Sequence, residues 1–265
     1  MRLRNALRRP RQGSGVRRCR SPNSPPGSRS IAVAPFAGFS RDAIQFLADL
    51  AVNNERSWFQ PRKRDYERLL KEPLEALCLA LADRFEARGL PLRSDPSRSP
   101  FRIYRDLRFS ADKSPYKTHV SASFPWAGEG GGVGGYFHFQ PGEKYAGGGM
   151  WHPEPAQLAA WRRTVDGDLA TVQAALGDRE FAATFGEVSG DRMKRVPTGF
   201  AADHPGAELL KLKDVTFGRR LSDNDVLSTG LPDLLADTFA AAVPVLRLLA
   251  GLSPGDARAA WLRGG

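Results

Sequence analysis

The sequence predicts an α+β domain: a central antiparallel sheet flanked by N-terminal and C-terminal helices. Three observations carry this. Apolar residues recur at helical spacing between Ser40 and Gly89. From Phe101 to Trp151 the pattern changes to short alternating runs separated by turn residues and glycines. Helical spacing then returns between about 154 and 249.

The elements follow in order. Ser40 is an N-cap, with Ile44, Leu47, Leu50 and Ala51 on one stripe and Asp42 in the first turn. Asn53-Asn54 ends that helix, and Ser57-Trp58-Phe59 reads as a connector. A second helix starts near Pro61, which suits a first turn. Tyr66, Leu69 and Leu70 form its stripe; Pro73 kinks it or begins a new helix, and Leu74, Leu77, Leu81 and Phe85 continue to Gly89. Phe101–Phe109, Val120–Phe124, Tyr136–Gln140 and Lys144–Trp151 read as strands, with glycines 130–132 and 134–135 as a connection. Short links between them favour antiparallel pairing. A helix is expected over 154–176, a short one over Phe181–Phe185, and a long one over Pro232–Leu249 bent at Pro244. Residues 190–220 read as irregular, with Lys211–Arg220 a solvated basic loop.

Composition bounds the rest. The chain carries a net charge of +10, yet residues 1–34 hold nine arginines and no acid, so the remainder is close to neutral. This weakens a nucleic-acid argument drawn from overall charge. Residues 1–34 are rich in Arg, Pro, Ser and Gly and cannot bury enough surface to fold. They read as a disordered tail: a basic arm for nucleic acid, a transit-like peptide, or a non-functional extension, such as one from a start codon assigned too early, the non-functional extension being favoured. One domain spans 35–252, and 253–265 is a C-terminal tail. No apolar run reaches the roughly 18 residues of a membrane span. Two cysteines, Cys19 and Cys78, exclude a disulfide framework and fit a reducing, cytoplasmic compartment.

The densest chemistry lies between Phe101 and His119. If 101–109 is a strand, Phe101, Ile103, Leu107 and Phe109 share a core face with Arg105 among them. A guanidinium there needs a partner, either a carboxylate such as Glu55 or Asp65, or an anionic ligand in a pocket. Arg102, Tyr104, Asp106 and Arg108 share the other face. Lys113, Tyr116, Lys117 and His119 follow. The five cations from Arg102 to Lys117 fall within 16 residues of a nearly neutral body. Guanidinium forks suit phosphate and carboxylate, and lysine adds point charge. Tyr104 or Tyr116 could stack on a ring. Candidate ligand-binding residues are therefore Arg102, Tyr104, Arg105, Arg108, Lys113, Tyr116 and Lys117. Weaker candidates for proton transfer are His119, Asp106 and His138, the last facing away from Phe137 and Phe139 and able to meet His119 across the sheet.

The four histidines lack metal-ligand spacing, so no metal site is expected, and no cofactor is indicated. The glycine runs lack a P-loop ending. Cys78, among leucines, reads as core.

The stretch from Arg102 to His119 resembles the signature of the domain-of-unknown-function family numbered 2461. Asn53-Asn54, Trp58-Phe59, Arg62, Tyr66, Pro73, Gly148-Gly149-Met150-Trp151 with Pro153, Lys194-Arg195-Val196-Pro197, Gly199-Phe200, Asp203-His204-Pro205 and Leu209-Leu210-Lys211 match it too. The likeness covers about 36–250. It implies one α+β domain with the basic tail outside it, and no activity or catalytic residue. Three readings of the cations stay open: binding of a phosphate-bearing small molecule or a nucleic-acid backbone, hydrolysis or transfer on a phosphorylated substrate, or internal pairing in a structural or interaction protein. Convergence of Arg102, Arg105, Arg108, Lys113, Lys117 and His119 with Lys194, Arg195 and Lys211 is a further expectation.

Overall fold

Helix α1, Arg41–Val52, starts where Ser40 accepts a hydrogen bond from Ala43 N and turns Ala43, Phe46, Leu47 and Leu50 inward. The computed structural model describes residues 34–106, 108, 112–128 and 131–252. After α1 the backbone stays helical for longer than the sequence implied. Short α2, Arg56–Phe59, takes in the expected connector; a 3-10 turn, Gln60–Arg62, and α3, Lys63–Tyr66, follow. Then a π-helical turn, Glu67–Lys71, leads into α4, Glu72–Ala87. Pro73 has no N–H to donate. The widened turn accommodates this, with Glu72 N donating to Glu67 O five residues back. Proline thus sits in the first turn of α4, where a missing donor costs least.

Four antiparallel strands lie side by side in chain order: β1 Val120–Pro125, β2 Val133–Gln140, β3 Glu143–Met150 and β4 Val215–Arg220. Two expectations are corrected here. Gly134 and Gly135 belong to β2 rather than to the connection. Val215–Arg220 is the fourth strand rather than a solvated loop. Its own sequence is too polar to declare a strand; pairing with β3 supplies the partners. Between β3 and β4 come α5 Pro155–Gly167, α6 Leu169–Leu176, α7 Arg179–Phe185 and α8 Ala207–Leu210. The single helix expected over 154–176 divides at Asp168, whose carboxylate caps α6 by accepting from Thr171 N. After β4, α9 Asp223–Leu227 opens on a Ser222 capping box, and α10 Leu231–Ala250 closes the domain.

Aromatic side chains of α7 and α10, with Phe39 just before α1, pack on one face of the sheet. Phe239 of α10 meets Phe124 and Phe85, Phe39 meets Phe137 and Phe139, and Phe181 and Phe185 of α7 meet Phe217. On this face Gly135 is required, because a Cβ there would stand 2.8 Å from the Phe239 ring. Lys144 also points inward; its ammonium reaches Asp223 at 2.6 Å. The helix-covered face accounts for the buried Val120, Ala122, Phe124, Phe137, Phe139, Ala146, Met150, Val215 and Phe217. Strand alternation then places Ser121, Tyr136, His138, Tyr145 and Arg220 on the opposite face. Among the described residues no helix is long and apolar enough to cross a membrane. Cys78 is buried in α4, and Cys19 and most of the basic tail lie outside the described residues.

Candidate functional site: the open face of the sheet

The segment 101–109 does not form the strand expected of it. Phe101 N donates to Ser121 O at 2.9 Å beside the β1 edge. The chain then turns to pair with 115–117 through one bridge, Tyr104 with Tyr116. Lys117 N donates to Ile103 O at 2.7 Å and Arg105 N to Pro115 O at 3.0 Å. Asn54 closes the outer edge of this pair. Its side chain donates to Tyr116 O at 2.9 Å and accepts from Tyr116 N at 3.0 Å, the groups that point away from 103–105. Strand alternation is not kept along 101–109: Ile103 is buried, but Phe101 is 45 % exposed, and Leu107 and Phe109 lie outside the described residues.

The predicted site residues separate into three groups. Arg105 pairs with Asp112, not with Glu55 or Asp65, and Asp65 instead meets Arg68 at 3.3 Å. Arg108 grips Asp106, with Nη2 2.6 Å from its Oδ2 and Nε 3.0 Å from its Oδ1. The Arg108 hydrogen bonds hold the Asp106 carboxyl down to about 2, and Arg105 holds Asp112 well below the usual carboxylate range. These loop arginines have their own acids, and Lys113 is exposed between them. The second group faces the helices. Tyr116 is 1 % exposed, with its ring 4.0 Å from Phe59, and is therefore a packing residue rather than a ring available to a ligand. Tyr104 lies against it at 5.4 Å and is 49 % exposed.

The third group, Arg102, Lys117, His119 and His138, comes together over the open face. His119 and His138 meet with ring centroids 4.4 Å apart, as the strand parity of His138 allowed. His138 stacks at 4.8 Å on Tyr145, and its Nδ1 lies 3.1 Å from the Tyr136 hydroxyl. Lys117 places its ammonium 5.1 Å from the centre of the Phe101 ring, which in turn packs on Tyr136 at 6.2 Å. Among the described residues Arg102 and Lys117 make no ion pair. Asp106 feels the Arg102 charge, but its carboxylate is already engaged by Arg108.

Burial and like charge set the protonation of this cluster. Burial, then His138, then Lys117 push the His119 imidazole down to about 4. Burial lowers His138 as well, against the opposing pull of Glu143 and Gln140. Both rings are neutral at pH 7. Lys117 is lowered by burial and by neighbouring Arg102. Burial raises Tyr136, while hydrogen bonds with Ser121 and Tyr145 act the other way; Tyr145 is pushed up to about 12. With Ser121 and Tyr145 bonded to the Tyr136 oxygen, its own proton is best directed to His138 Nδ1. The remaining His138 nitrogen, Nε2, is buried with no hydrogen-bond partner among the described residues. Such a site has hydroxyl and imidazole groups backed by two adjacent cations, and it is suited to an anion.

Tyr136, Tyr145 and Arg220 were missed in the sequence. The available signal was parity: Tyr136 and Tyr145 have the strand parity that shares a face with His138, once the β2–β3 register is known. The expected convergence with Lys194, Arg195 and Lys211 does not occur. The loop carrying them pairs beside β4, through Met193 N to Lys211 O at 2.8 Å, while Phe101 and Lys117 lie beyond β1 at the other edge. Lys211 itself meets Glu208 at 2.6 Å. Among the described residues no three His, Cys, Asp or Glu side chains gather as a metal site.

Fold and face together define a two-layer α+β protein, helices on one side of a four-stranded antiparallel sheet and a largely buried histidine–tyrosine cluster on the other. Residues 42–247 match the model of the conserved hypothetical protein family DUF2461, and the chain belongs to that family. No curated protein and no solved structure matches it.

Proposed function

We propose that the open face binds a phosphate-bearing ligand at Arg102 and Lys117. The observation that carries this reading is two neighbouring cations, Lys117 partly buried against the Phe101 ring and Arg102 exposed beside it, with no ion pair between either of them and an acid among the described residues. Like charges so placed repel one another, and an anion bound between them reverses that cost. A neutral imidazole adds a hydrogen-bond donor without adding negative charge. Arg105 and Arg108, paired within their loop, serve its structure instead.

A second reading, group transfer or hydrolysis on the same ligand, is favoured by one observation: two neutral imidazoles in contact at the site. Thermal unfolding of the full chain against inorganic phosphate and nucleoside phosphates tests binding. A ligand at 100 times its Kd adds about 2.7 kcal/mol. Lys117→Ala removes the rise, whereas a rise that survives Lys117→Ala and Arg102→Ala refutes the site. His119→Gln that keeps the rise but loses turnover would favour the enzyme.

A further inference from the structure

One row of the sheet runs, in register, Ser121, His138, Tyr145, Arg220. It links two basic ends. Arg220 stands exposed on the β4 edge, and Lys117 and Arg102 lie beyond β1. Like those two, Arg220 makes no ion pair among the described residues. Strands are spaced about 4.8 Å apart, so Ser121 and Arg220 are separated by roughly 14 Å. The rings of His119, His138 and Tyr145 stand between the two ends, and Lys117 is already seated over Phe101. One phosphate suits one end of this row, whereas a chain of phosphates suits both. Ser121 and His138 are themselves buried, so the groups a ligand meets in between are the partly exposed Tyr145 and the half-exposed Phe101 ring, which can meet base edges and faces only when the bases are unpaired. Among the strand residues of this face the acid is Glu143, at the start of β3 outside the row, and Asp106 near Arg102 is held by Arg108.

Building on the phosphate-binding reading, we propose that a single-stranded nucleic acid crosses this face. One of its phosphates lies at Arg220 and another at Lys117 and Arg102. The nucleotides between them rest on Tyr145 and Tyr136. The row thereby selects a single strand over a duplex, and a polymer over a mononucleotide.

The test is fluorescence anisotropy of the full chain with labelled U12, dT12 and a 12-base-pair duplex, from 20 to 200 mM KCl, alongside adenosine monophosphate binding. The nine tail arginines contribute equally to every variant, so the differences between proteins are what is read. Arg220→Ala, at an exposed position, should weaken both single strands about tenfold and reduce the log–log salt slope by about 0.7. It should leave duplex and adenosine monophosphate binding unchanged. Tyr145→Phe should weaken the single strands as well, and Lys117→Ala should weaken single strands and mononucleotide alike. If Lys117→Ala acts on the mononucleotide but Arg220→Ala leaves the oligomers unchanged, the crossing strand is refuted and the phosphate site stands. If neither variant changes binding of any ligand, both fail.

Discussion

Protonation of His119 makes a measurable link between the site and stability. In the unfolded chain an imidazole titrates near 6.5, whereas the folded value is about 4. The folded state therefore binds fewer protons than the unfolded state between those values. Stability from this group is fully present above 6.5, falls with decreasing pH, and stops changing below about 4. For a group wholly sheltered from water, the loss between pH 7 and pH 5 is about 2 kcal/mol. His119 is half-exposed, and screening reduces the expected loss to about 1 kcal/mol. The groups facing it are His138 on β2 and Lys117, with Arg102 next to Lys117 and with Glu143 and Gln140 acting on His138. Urea unfolding of the full chain at pH 7 and pH 5 measures the loss, and His119→Gln should remove most of it. A variant that weakens as much as the wild type between these pH values would show that the shelter argued for His119 is not there.

Two further perturbations probe the frame that holds the site. Asp223→Ala strands the Lys144 ammonium, whose side chain is 5 % exposed, and should cost about 2 kcal/mol in urea unfolding; Lys144→Met, which removes the charge as well, should cost less, and equal losses would contradict this. Gly135→Val drives a side chain into Phe239, which is itself enclosed by Phe85 and Phe124, and should cost about 1–3 kcal/mol; an unchanged thermal midpoint would mean that α10 is not seated on β2 as described.

The helices were the most legible part of the chain because their signals are local. Ser40, the stripe of α1 and the proline in the first turn of α4 each act within a few residues. Strands were legible where apolar alternation was strong, as around Phe137 and Phe139, and illegible where it was weak. Val215–Arg220 holds two arginines and a glycine, and only its pairing with β3 makes it a strand. The reverse error occurred at Phe101–Phe109, whose alternation looked strong. Its pairing with 115–117 is one bridge, and the outward backbone groups of Tyr116 go to the side chain of Asn54 rather than to another strand.

What the sequence determined by itself is the class of fold, the starts of α1 and of the long C-terminal helix, and the concentration of cations between Arg102 and Lys117. Those depend on short-range periodicity, capping and composition. Which of the cations face a ligand was decided only in three dimensions. Arg105 and Arg108 satisfy themselves with Asp112 and Asp106 a few residues away, whereas Arg102 and Lys117 come to lie against the open face. The row from Ser121 to Arg220 is likewise a product of strand register. Register is set by which face the helices bury, and a shift of one residue would turn His138, Tyr145 and Arg220 into the core.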